Sequence, residues 1–304
     1  MKRIIKILLS AFVLSFVPAS YACAQWKYQG SYCDGLALVE DDNEMFGFID
    51  KTGKVVIPCK WEYAESFSEG LALVKNSNGK YGFVNKTGKM ISPCKWKSAY
   101  PFGEGLASVE DANGKYGFIN KTGKVVIPCK WDYAYPFSEG LAAVQDANGK
   151  YGYINKTGKV VIPCKLIDKL RGSWAFSEGL VSIQDSNFKW GYIDKTGKMV
   201  IPCQWKYADS FSEGLAAVQD ANGKYGFIDK TGKVVIPCQW KDAWPFSEGL
   251  AAVQDSDKKW GYIDKTGKVV IPCKWLEAEC FENGRAYVRD EKWYYIDKTG
   301  KIVE

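Results

Sequence analysis

The chain has 304 residues, with 41 Lys and Arg, 35 Asp and Glu, and no histidine, which gives a formal net charge of +6. The lack of histidine excludes Ser/His and Cys/His nucleophile pairs and removes the commonest metal ligand. Lys2, Arg3 and Lys6 belong to an N-terminal leader, and 38 basic and 35 acidic residues remain without it. That near balance gives no electrostatic reason to expect a nucleic-acid partner.

The first 24 residues have the composition of a secretory signal peptide. The basic start is followed by an apolar run from Ile7 to Val17 and by the small residues Ala22-Cys23-Ala24. The run is too short for a permanent membrane anchor, so we expect no transmembrane segment after cleavage. The expected location is extracytoplasmic: periplasm, cell surface or secreted. Cleavage before Cys23 with lipid attached to it is the alternative, disfavoured by Ser20 where lipoprotein signals carry an aliphatic residue.

A unit of about 35 residues recurs eight times and accounts for residues 26–304. Its Thr-Gly pair begins at Thr52, Thr87, Thr122, Thr157, Thr196, Thr231, Thr266 and Thr299. Units 1 to 8 begin at residues 26, 61, 96, 131, 166, 205, 240 and 275. A unit this short cannot bury its own apolar face, so neighbouring units must stack on one another. We therefore predict a single domain of eight units.

Unit 3 illustrates the predicted local structure. Leu106–Glu110 and Tyr116–Asn120 are apolar runs joined by an Asn-Gly turn, and Val125–Ile127 is a third, β-branched run. Pro128 is expected to end that third strand, because proline cannot donate to a ladder. Each unit is thus predicted to be a three-stranded antiparallel meander, with a connector that can add a short fourth strand. The fold class is all-β.

The ends of the repeat array bear on its closure. The mature chain starts at the beginning of a unit, and neither end shows an evident polar cap. An open stack leaves two apolar end faces, which normally need capping repeats. The sequence therefore favours a closed, propeller-like ring of eight units. An open, curved β-superhelix or solenoid is the alternative.

The segment that runs from an aromatic-Gly pair through KTGK and IPC to a tryptophan resembles the bacterial WG-containing β-repeat family, also called WG or KWG repeats. The pair stands as Trp190-Gly191 and Trp260-Gly261, is relaxed to Phe-Gly or Tyr-Gly in five units, and becomes Trp293-Tyr294 in unit 8. The resemblance implies an exported or cell-surface bacterial repeat protein. It supplies no established catalytic residues and no cofactor.

Many acidic residues recur at one of two positions of the repeat. One series precedes Gly-Leu and comprises Glu69, Glu104, Glu139, Glu178, Glu213 and Glu248. The other precedes Lys-Thr-Gly and comprises Asp50, Asp194, Asp229, Asp264 and Asp297. A single active site would not need the same acid in every unit, so we interpret both series as turn caps. No unique pair of acids can be nominated for catalysis, and we expect a protein that is not an enzyme.

Aromatic residues are interpreted as packing between units, with stacking platforms for sugars as the alternative. Departures from the repeat are better candidates for binding. The fourth connector, Lys165 to Ser177, is four residues longer and supplies Asp168, Lys169, Arg171 and Trp174. Trp244 is a second aromatic residue outside the pattern. These five residues form the predicted binding set.

Seven cysteines share one register after the recurring proline, and we interpret them as small buried hydrophobes rather than metal ligands. Cys33 and Cys280 lie outside that register, in the first and last units. If the chain closes into a ring, those units are neighbours, and a disulfide between the two residues would lock the seam.

The repeats indicate a non-enzymatic binding or scaffold module for a protein partner, exported by a bacterium. A carbohydrate-binding, lectin-like protein of the cell envelope is the alternative. No metal or cofactor is expected in either case.

Overall fold

The computed structural model describes residues 26–166 and 174–303, and these fold into eight antiparallel sheets. The predicted all-β class and the tandem antiparallel sheets are confirmed. The leader, residues 1–24, lies outside the described residues, and so do Asp168, Lys169 and Arg171 of the predicted binding set. Within the described parts of the chain, no helix has the length and apolarity needed to cross a membrane.

The strands follow one another along the chain, and each sheet has the order of the sequence. Units 1 to 3 contain β1 (Tyr28–Cys33), β2 (Leu36–Glu40), β3 (Phe46–Asp50), β4 (Val55–Trp61), β5 (Tyr63–Ala64), β6 (Leu71–Lys75), β7 (Tyr81–Asn85), β8 (Met90–Trp96), β9 (Ser98–Ala99), β10 (Leu106–Glu110), β11 (Tyr116–Asn120) and β12 (Val125–Trp131). Units 4 and 5 contain β13 (Tyr133–Ala134), β14 (Leu141–Gln145), β15 (Tyr151–Asn155), β16 (Val160–Leu166), β17 (Leu180–Gln184), β18 (Trp190–Asp194) and β19 (Met199–Trp205). Units 6 to 8 contain β20 (Tyr207–Ala208), β21 (Leu215–Gln219), β22 (Tyr225–Asp229), β23 (Val234–Trp240), β24 (Asp242–Ala243), β25 (Leu250–Gln254), β26 (Trp260–Asp264), β27 (Val269–Trp275), β28 (Glu277–Ala278), β29 (Arg285–Arg289), β30 (Trp293–Asp297) and β31 (Ile302–Val303).

The prediction that proline ends the third run was wrong. In unit 3 the strand β12 continues through Pro128 to Trp131. Its register against β11 jumps, because Phe118 pairs with Ile127 whereas Tyr116 pairs with Trp131. The residues between form a bulge that arches away from the ladder, so the missing N–H of the proline costs no pairing. After the bulge the chain enters the next sheet as a two-residue first strand.

The glycine of the aromatic-Gly pair permits this arch. A Cβ added to Gly117 would lie 2.5 Å from the carbonyl oxygen of Ile127 and 2.7 Å from the backbone nitrogen of Cys129. Corresponding close contacts surround the six glycines at the same position: Gly47, Gly82, Gly152, Gly191, Gly226 and Gly261. Only a residue without a Cβ lets the two backbones approach this closely. In unit 8 the position is Tyr294, and no proline-cysteine segment packs over it among the described residues.

The turn between the second and third long strands is capped by its first residue, as predicted for the aspartate series. The carboxylate of Asp50 accepts hydrogen bonds from the Thr52 nitrogen at 2.8 Å, the Thr52 hydroxyl at 2.6 Å and the Lys54 nitrogen at 3.1 Å. Asn85 makes the same three contacts in unit 2. The left-handed turn conformation falls on the following glycine, which for Gly53 has φ of 81°.

The apolar core lies between successive sheets. Between units 1 and 2, Phe48 and Trp61 of the first sheet pack against Phe67 and Val74 of the second. The rings of Phe48 and Phe67 meet edge to face with centroids 4.8 Å apart. Because each sheet uses one face for the preceding unit and the other for the following unit, the aromatic residues act mainly in packing, as predicted.

The outward face of unit 8 differs from the corresponding face of the other units. Tyr295 is 48% exposed, whereas Phe48 and Phe83 at the same position are fully buried. Arg285 stands where the other units place a buried leucine. The sequence shows no evident polar cap at either end, yet the outward face of unit 8 carries a charged residue and an exposed tyrosine. Closure of the eight units into a ring stays a prediction.

Candidate binding surface

The glutamate series does not cap its own turn, which corrects the sequence interpretation. Glu69 and Gly70 both have positive φ, 53° and 85°, and form a two-residue hairpin turn. The Glu69 carboxylate instead accepts a hydrogen bond from the Gly105 nitrogen of the next unit at 2.9 Å, and it pairs with Lys121 of that unit at 3.1 Å. Each such acid therefore links two successive sheets.

The linkage recurs along the stack and sets the charge state of the acids. Burial opposes ionisation of Glu69, but the hydrogen bonds from Lys121 and Gly105 outweigh it and hold the pKa below its ordinary value. In unit 8 the position is Asn283, a residue that suits a left-handed turn position better than glutamate does. Asparagine has no carboxylate, so this turn lacks the group that links the other turns to a following unit.

One position of the repeat varies in chemistry while its backbone stays constant. It lies two residues before the buried phenylalanine of the connector, and we call the side chains at this position the variable row. The variable row consists of Glu65, Tyr100, Tyr135, Trp174, Asp209, Trp244 and Glu279. In six of these units the residue donates its backbone N–H to the middle of the second strand, as Tyr100 does to Ser108 at 2.9 Å and Trp244 to Ala252 at 2.9 Å.

Further aromatic rings lie beside the variable row, on the first strands. Tyr133 contacts Tyr116 of the preceding unit at a centroid distance of 4.9 Å and Tyr135 at 4.8 Å. The hydroxyls of Tyr100 and Tyr133 form a hydrogen bond across a unit junction. Tyr207 packs in the same way on Trp190 of the preceding unit at 5.9 Å. The first-strand edge is therefore lined by aromatic residues over several successive units.

Trp174, a member of the predicted binding set, is only 8% exposed. Its ring stacks on Tyr151 of the preceding unit, with centroids 4.0 Å apart and an interplanar angle of 22°. It thus contacts the aromatic residue of the preceding unit's aromatic-Gly pair, as Tyr133 and Tyr207 do at other junctions. Because the face of the Trp174 ring is covered by Tyr151, the residue packs two units together.

Trp244, the other described member of the predicted set, is 49% exposed. It lies nearly parallel to Trp260 of the same unit, with centroids 6.3 Å apart and an interplanar angle of 27°. Trp174 and Trp244 occupy the same register in units 5 and 7, so they belong to one row, and each packs on different neighbours.

Two acids of the same region were not singled out from the sequence. Asp209 belongs to the variable row, and Asp242 lies on the first strand of the next unit. Burial raises the pKa of both carboxyl groups, and the backbone N–H groups of Ser210 and Ala243 only partly offset it. Comparing the residues at one register across units is the signal that could have found Asp209.

The cysteines in the repeat register are half-buried rather than buried. In unit 5 the thiol of Cys203 approaches the carbonyl oxygen of Ile183 at 4.0 Å. Cys33 and Cys280 are both free thiols, and the sulfur of Cys280 lies 3.8 Å from the carbonyl oxygen of Pro245 in unit 7. The disulfide between them stays a prediction. The described residues contain no group of three or more side chains suited to hold a metal ion.

The chain was compared with curated sequences and with solved structures. No curated protein has significant sequence similarity to the chain. Among solved structures, the computationally designed protein Ika8 is similar with a TM-score of 0.48 and 11% identity, covering 90% of this chain and 93% of that one. BamB from Moraxella catarrhalis has a TM-score of 0.48 and 12% identity, covering 90% and 91%. Likenesses of this size carry no argument about function.

The family model described as the WG containing repeat matches seven segments, and these extend over most of the chain. They are residues 46–81, 81–116, 116–151, 151–187, 190–225, 225–259 and 260–294. Each match begins at the aromatic residue of the aromatic-Gly pair, so the model covers the strand, turn and bulged strand described above. The chain belongs to the WG containing repeat family.

Proposed function

We propose that this protein is an exported, non-enzymatic binding module that holds a protein partner along the variable row. The observation that supports this most directly is the constancy of the backbone at that row. Tyr135 and Asp209 donate the same backbone hydrogen bond at 2.9 Å, yet their side chains differ in size and charge. A packing position would favour one residue type, whereas a recognition position can differ from unit to unit.

The distribution of the row favours a protein over a small ligand. One variable side chain comes from each successive sheet, so the surface is extended rather than confined to one pocket. The row combines acids with an exposed tryptophan, Trp244, which is 49% exposed. Aromatic anchors surrounded by polar groups are typical of protein interfaces, where tryptophan and tyrosine contribute much of the binding energy.

The engagement of the recurring acids supports a role without catalysis. The carboxylates of the aspartate series accept hydrogen bonds within their own turns, as Asp194 does from the Thr196 nitrogen. Those of the glutamate series accept hydrogen bonds from the next unit, as Glu139 does from the Gly179 nitrogen. The sequence has no histidine. We do not assign a general base or a nucleophile to any residue. The leader at residues 1–24 supports export, and the balanced charge of the remaining chain argues against nucleic acid as a partner.

The exposure of unit 8 supports an open, curved stack rather than a ring. In a closed ring the outer face of unit 8 would be covered by unit 1, and Tyr295 would be buried like its counterparts. Its exposed fraction of 48% fits an end face that is open to solvent. The open alternative is therefore the arrangement that we propose. Small-angle scattering that fits a closed ring would contradict it.

The partner hypothesis can be tested by quantitative capture from envelope extracts, followed by binding measurements with the purified partner. We expect Trp244→Ala to weaken the Kd about tenfold or more, because truncation of a central aromatic anchor costs about 2 kcal/mol. Val235→Thr is a matched control, since Val235 is exposed on the last strand of unit 6, away from the variable row. Equal affinity of Trp244→Ala and the wild type would reject the row as the binding surface.

A further inference from the structure

The outer face of unit 8 contains a cavity of about 450 Å³. It is lined by Glu279, Cys280, Glu282, Asn283, Arg285, Tyr287 and Tyr295. All of these residues belong to unit 8, so the cavity does not depend on a contact with another unit. Glu279 is also the last member of the variable row.

The lining residues replace the side chains that join units elsewhere in the stack. Glu282 stands where Ser247 of unit 7 donates a hydrogen bond to the carbonyl oxygen of Phe281 at 2.7 Å. Asn283 replaces the linking glutamate, and Arg285 replaces a buried leucine. The opposite face of unit 8 keeps its packing residues, with Phe281 and Val288 at most 1% exposed. Glu282, Asn283 and Arg285 therefore depart from the repeat while the packing core on the opposite face is kept.

A cap that only prevents association would need charge and no exposed rings. This face instead has aromatic residues that are exposed to solvent. Tyr295 is 48% exposed and Trp293 is 37% exposed. Tyr287 lies between them, stacked on Trp293 at 4.6 Å and tilted against Tyr295 at 4.7 Å. Exposed, mutually supported rings beside hydrogen-bonding groups indicate a ligand surface.

We propose that this cavity binds a neutral carbohydrate. The apolar face of a sugar ring would stack on Tyr295, which the neighbouring Tyr287 holds in place. Glu279 and Glu282 offer acceptors to sugar hydroxyls, Arg285 offers donors, and Asn283 offers both. The volume falls in the range of small-molecule sites, about 300–1,000 Å³, and suits one or two sugar rings.

The same lining disfavours other ligand classes. Two carboxylates and one guanidinium give the cavity a net negative charge, which opposes phosphate and sulfate groups. Although Glu279, Cys280 and Glu282 all line it, no set of acidic or sulfur ligands among the described residues converges in a way that could hold a metal ion. A mixed set of donors and acceptors beside an aromatic ring matches polyhydroxylated ligands best.

The proposal can be tested with the full mature chain on a glycan array that includes cellotetraose, maltotetraose and chitotetraose, followed by calorimetric titration of the strongest neutral ligand. We expect Tyr295→Ala to weaken binding at least tenfold, through loss of the stacking face. Glu282→Ser, which restores the residue found in most other units, should weaken binding about threefold or more. Both positions lie on an outward face, and near-UV circular dichroism with thermal unfolding checks that the variants fold.

A chemical readout is independent of the array. Cys280 is one of the lining residues, so bound oligosaccharide should slow alkylation of its thiol by iodoacetamide, whereas the half-buried Cys203 in unit 5 serves as the internal control. Burial raises the pKa of the Cys280 thiol, so the reaction is best followed at alkaline pH. An array without binding in any class would overturn the proposal. So would binding that survives Tyr295→Ala but is lost in Trp244→Ala. The first result would leave the protein-binding role of the variable row untouched, whereas the second would move glycan binding to that row.

Discussion

The carboxylate of Glu69 accepts a hydrogen bond of 2.9 Å from the backbone N–H of Gly105, which lies in the next unit. This contact connects the two-residue turn of one sheet to the same turn of the following sheet. Equivalent contacts join the later units; for example, the Gly214 N–H donates to the Glu178 carboxylate at 3.0 Å. Because each acid is held in place by a different unit, the stability of one unit depends on its neighbour.

The first prediction concerns the pH dependence of stability. Burial raises the pKa of Glu69, Glu139 and Glu178, but hydrogen bonds from the next unit outweigh it and lower the net value. A carboxyl group with a lowered folded pKa contributes stability that is fully present above its unfolded pKa, about 4.3, and is lost as pH falls through the folded pKa. We therefore expect the free energy of unfolding to fall with pH below about 4.3.

Urea denaturation between pH 7 and pH 3 measures this dependence. Asp209 contributes with the opposite sign, since burial raises its pKa and its protonation favours the folded state. The triple variant Glu69→Gln, Glu139→Gln, Glu178→Gln should lose part of the acid dependence and be less stable at pH 7. A slope equal to that of the wild type would contradict the assignment.

The second prediction concerns the glycine under the bulge. In Gly117→Ala the added Cβ would lie 2.5 Å from the carbonyl oxygen of Ile127, a backbone atom that cannot rotate away. We expect a loss of about 3 kcal/mol in the free energy of unfolding, at the upper end of overpacking effects. Gly103→Ala is the control, because its Cβ would have no heavy atom closer than 3.7 Å. Similar denaturation midpoints for the two variants would contradict this account of the glycine.

The third prediction restores a contact that unit 3 lacks. Ser138 of unit 4 donates a hydrogen bond to the carbonyl oxygen of Phe176 in unit 5 at 2.8 Å. Gly103 occupies the serine position in unit 3, and a Cβ there would lie 3.7 Å from the carbonyl oxygen of Phe137. Gly103→Ser should therefore stabilise the protein by about 1 kcal/mol, through the new hydrogen bond and a less flexible unfolded chain. Gly103→Ala isolates the second contribution, and a serine variant no more stable than the alanine variant would exclude the hydrogen bond.

The sequence predicts local features better than those that depend on a neighbouring unit. The strand pattern and the turn cap at Asp50 follow from short-range residue preferences, and both are present. The strand continues past Pro128 because a glycine in the adjacent strand leaves room for the bulge. The proline considered alone predicts that the strand ends there. The role of Glu69 depends on Gly105, which lies in another unit. The sequence predicts Trp174 to be a binding residue of a loop, whereas in the structure its ring stacks on Tyr151.

The fourth prediction compares equivalent tyrosines at two junctions. The hydroxyl of Tyr262 donates a hydrogen bond to the carbonyl oxygen of Glu279 at 2.8 Å. The hydroxyl of Tyr153 is buried and has no hydrogen-bond partner among the described residues. By the repeat, its acceptor would be the backbone carbonyl of Trp174, in the unit whose connector is four residues longer.

An unsatisfied buried hydroxyl costs free energy, whereas a satisfied one contributes about 1 kcal/mol. We therefore expect Tyr262→Phe to lower the free energy of unfolding by about 1 kcal/mol, and Tyr153→Phe to leave it unchanged or raise it. Both substitutions remove one oxygen from a fully buried ring, so the packing change is matched. Equal losses in the two variants, measured by urea denaturation, would mean that the Tyr153 hydroxyl has a hydrogen-bond partner, and would contradict the assignment.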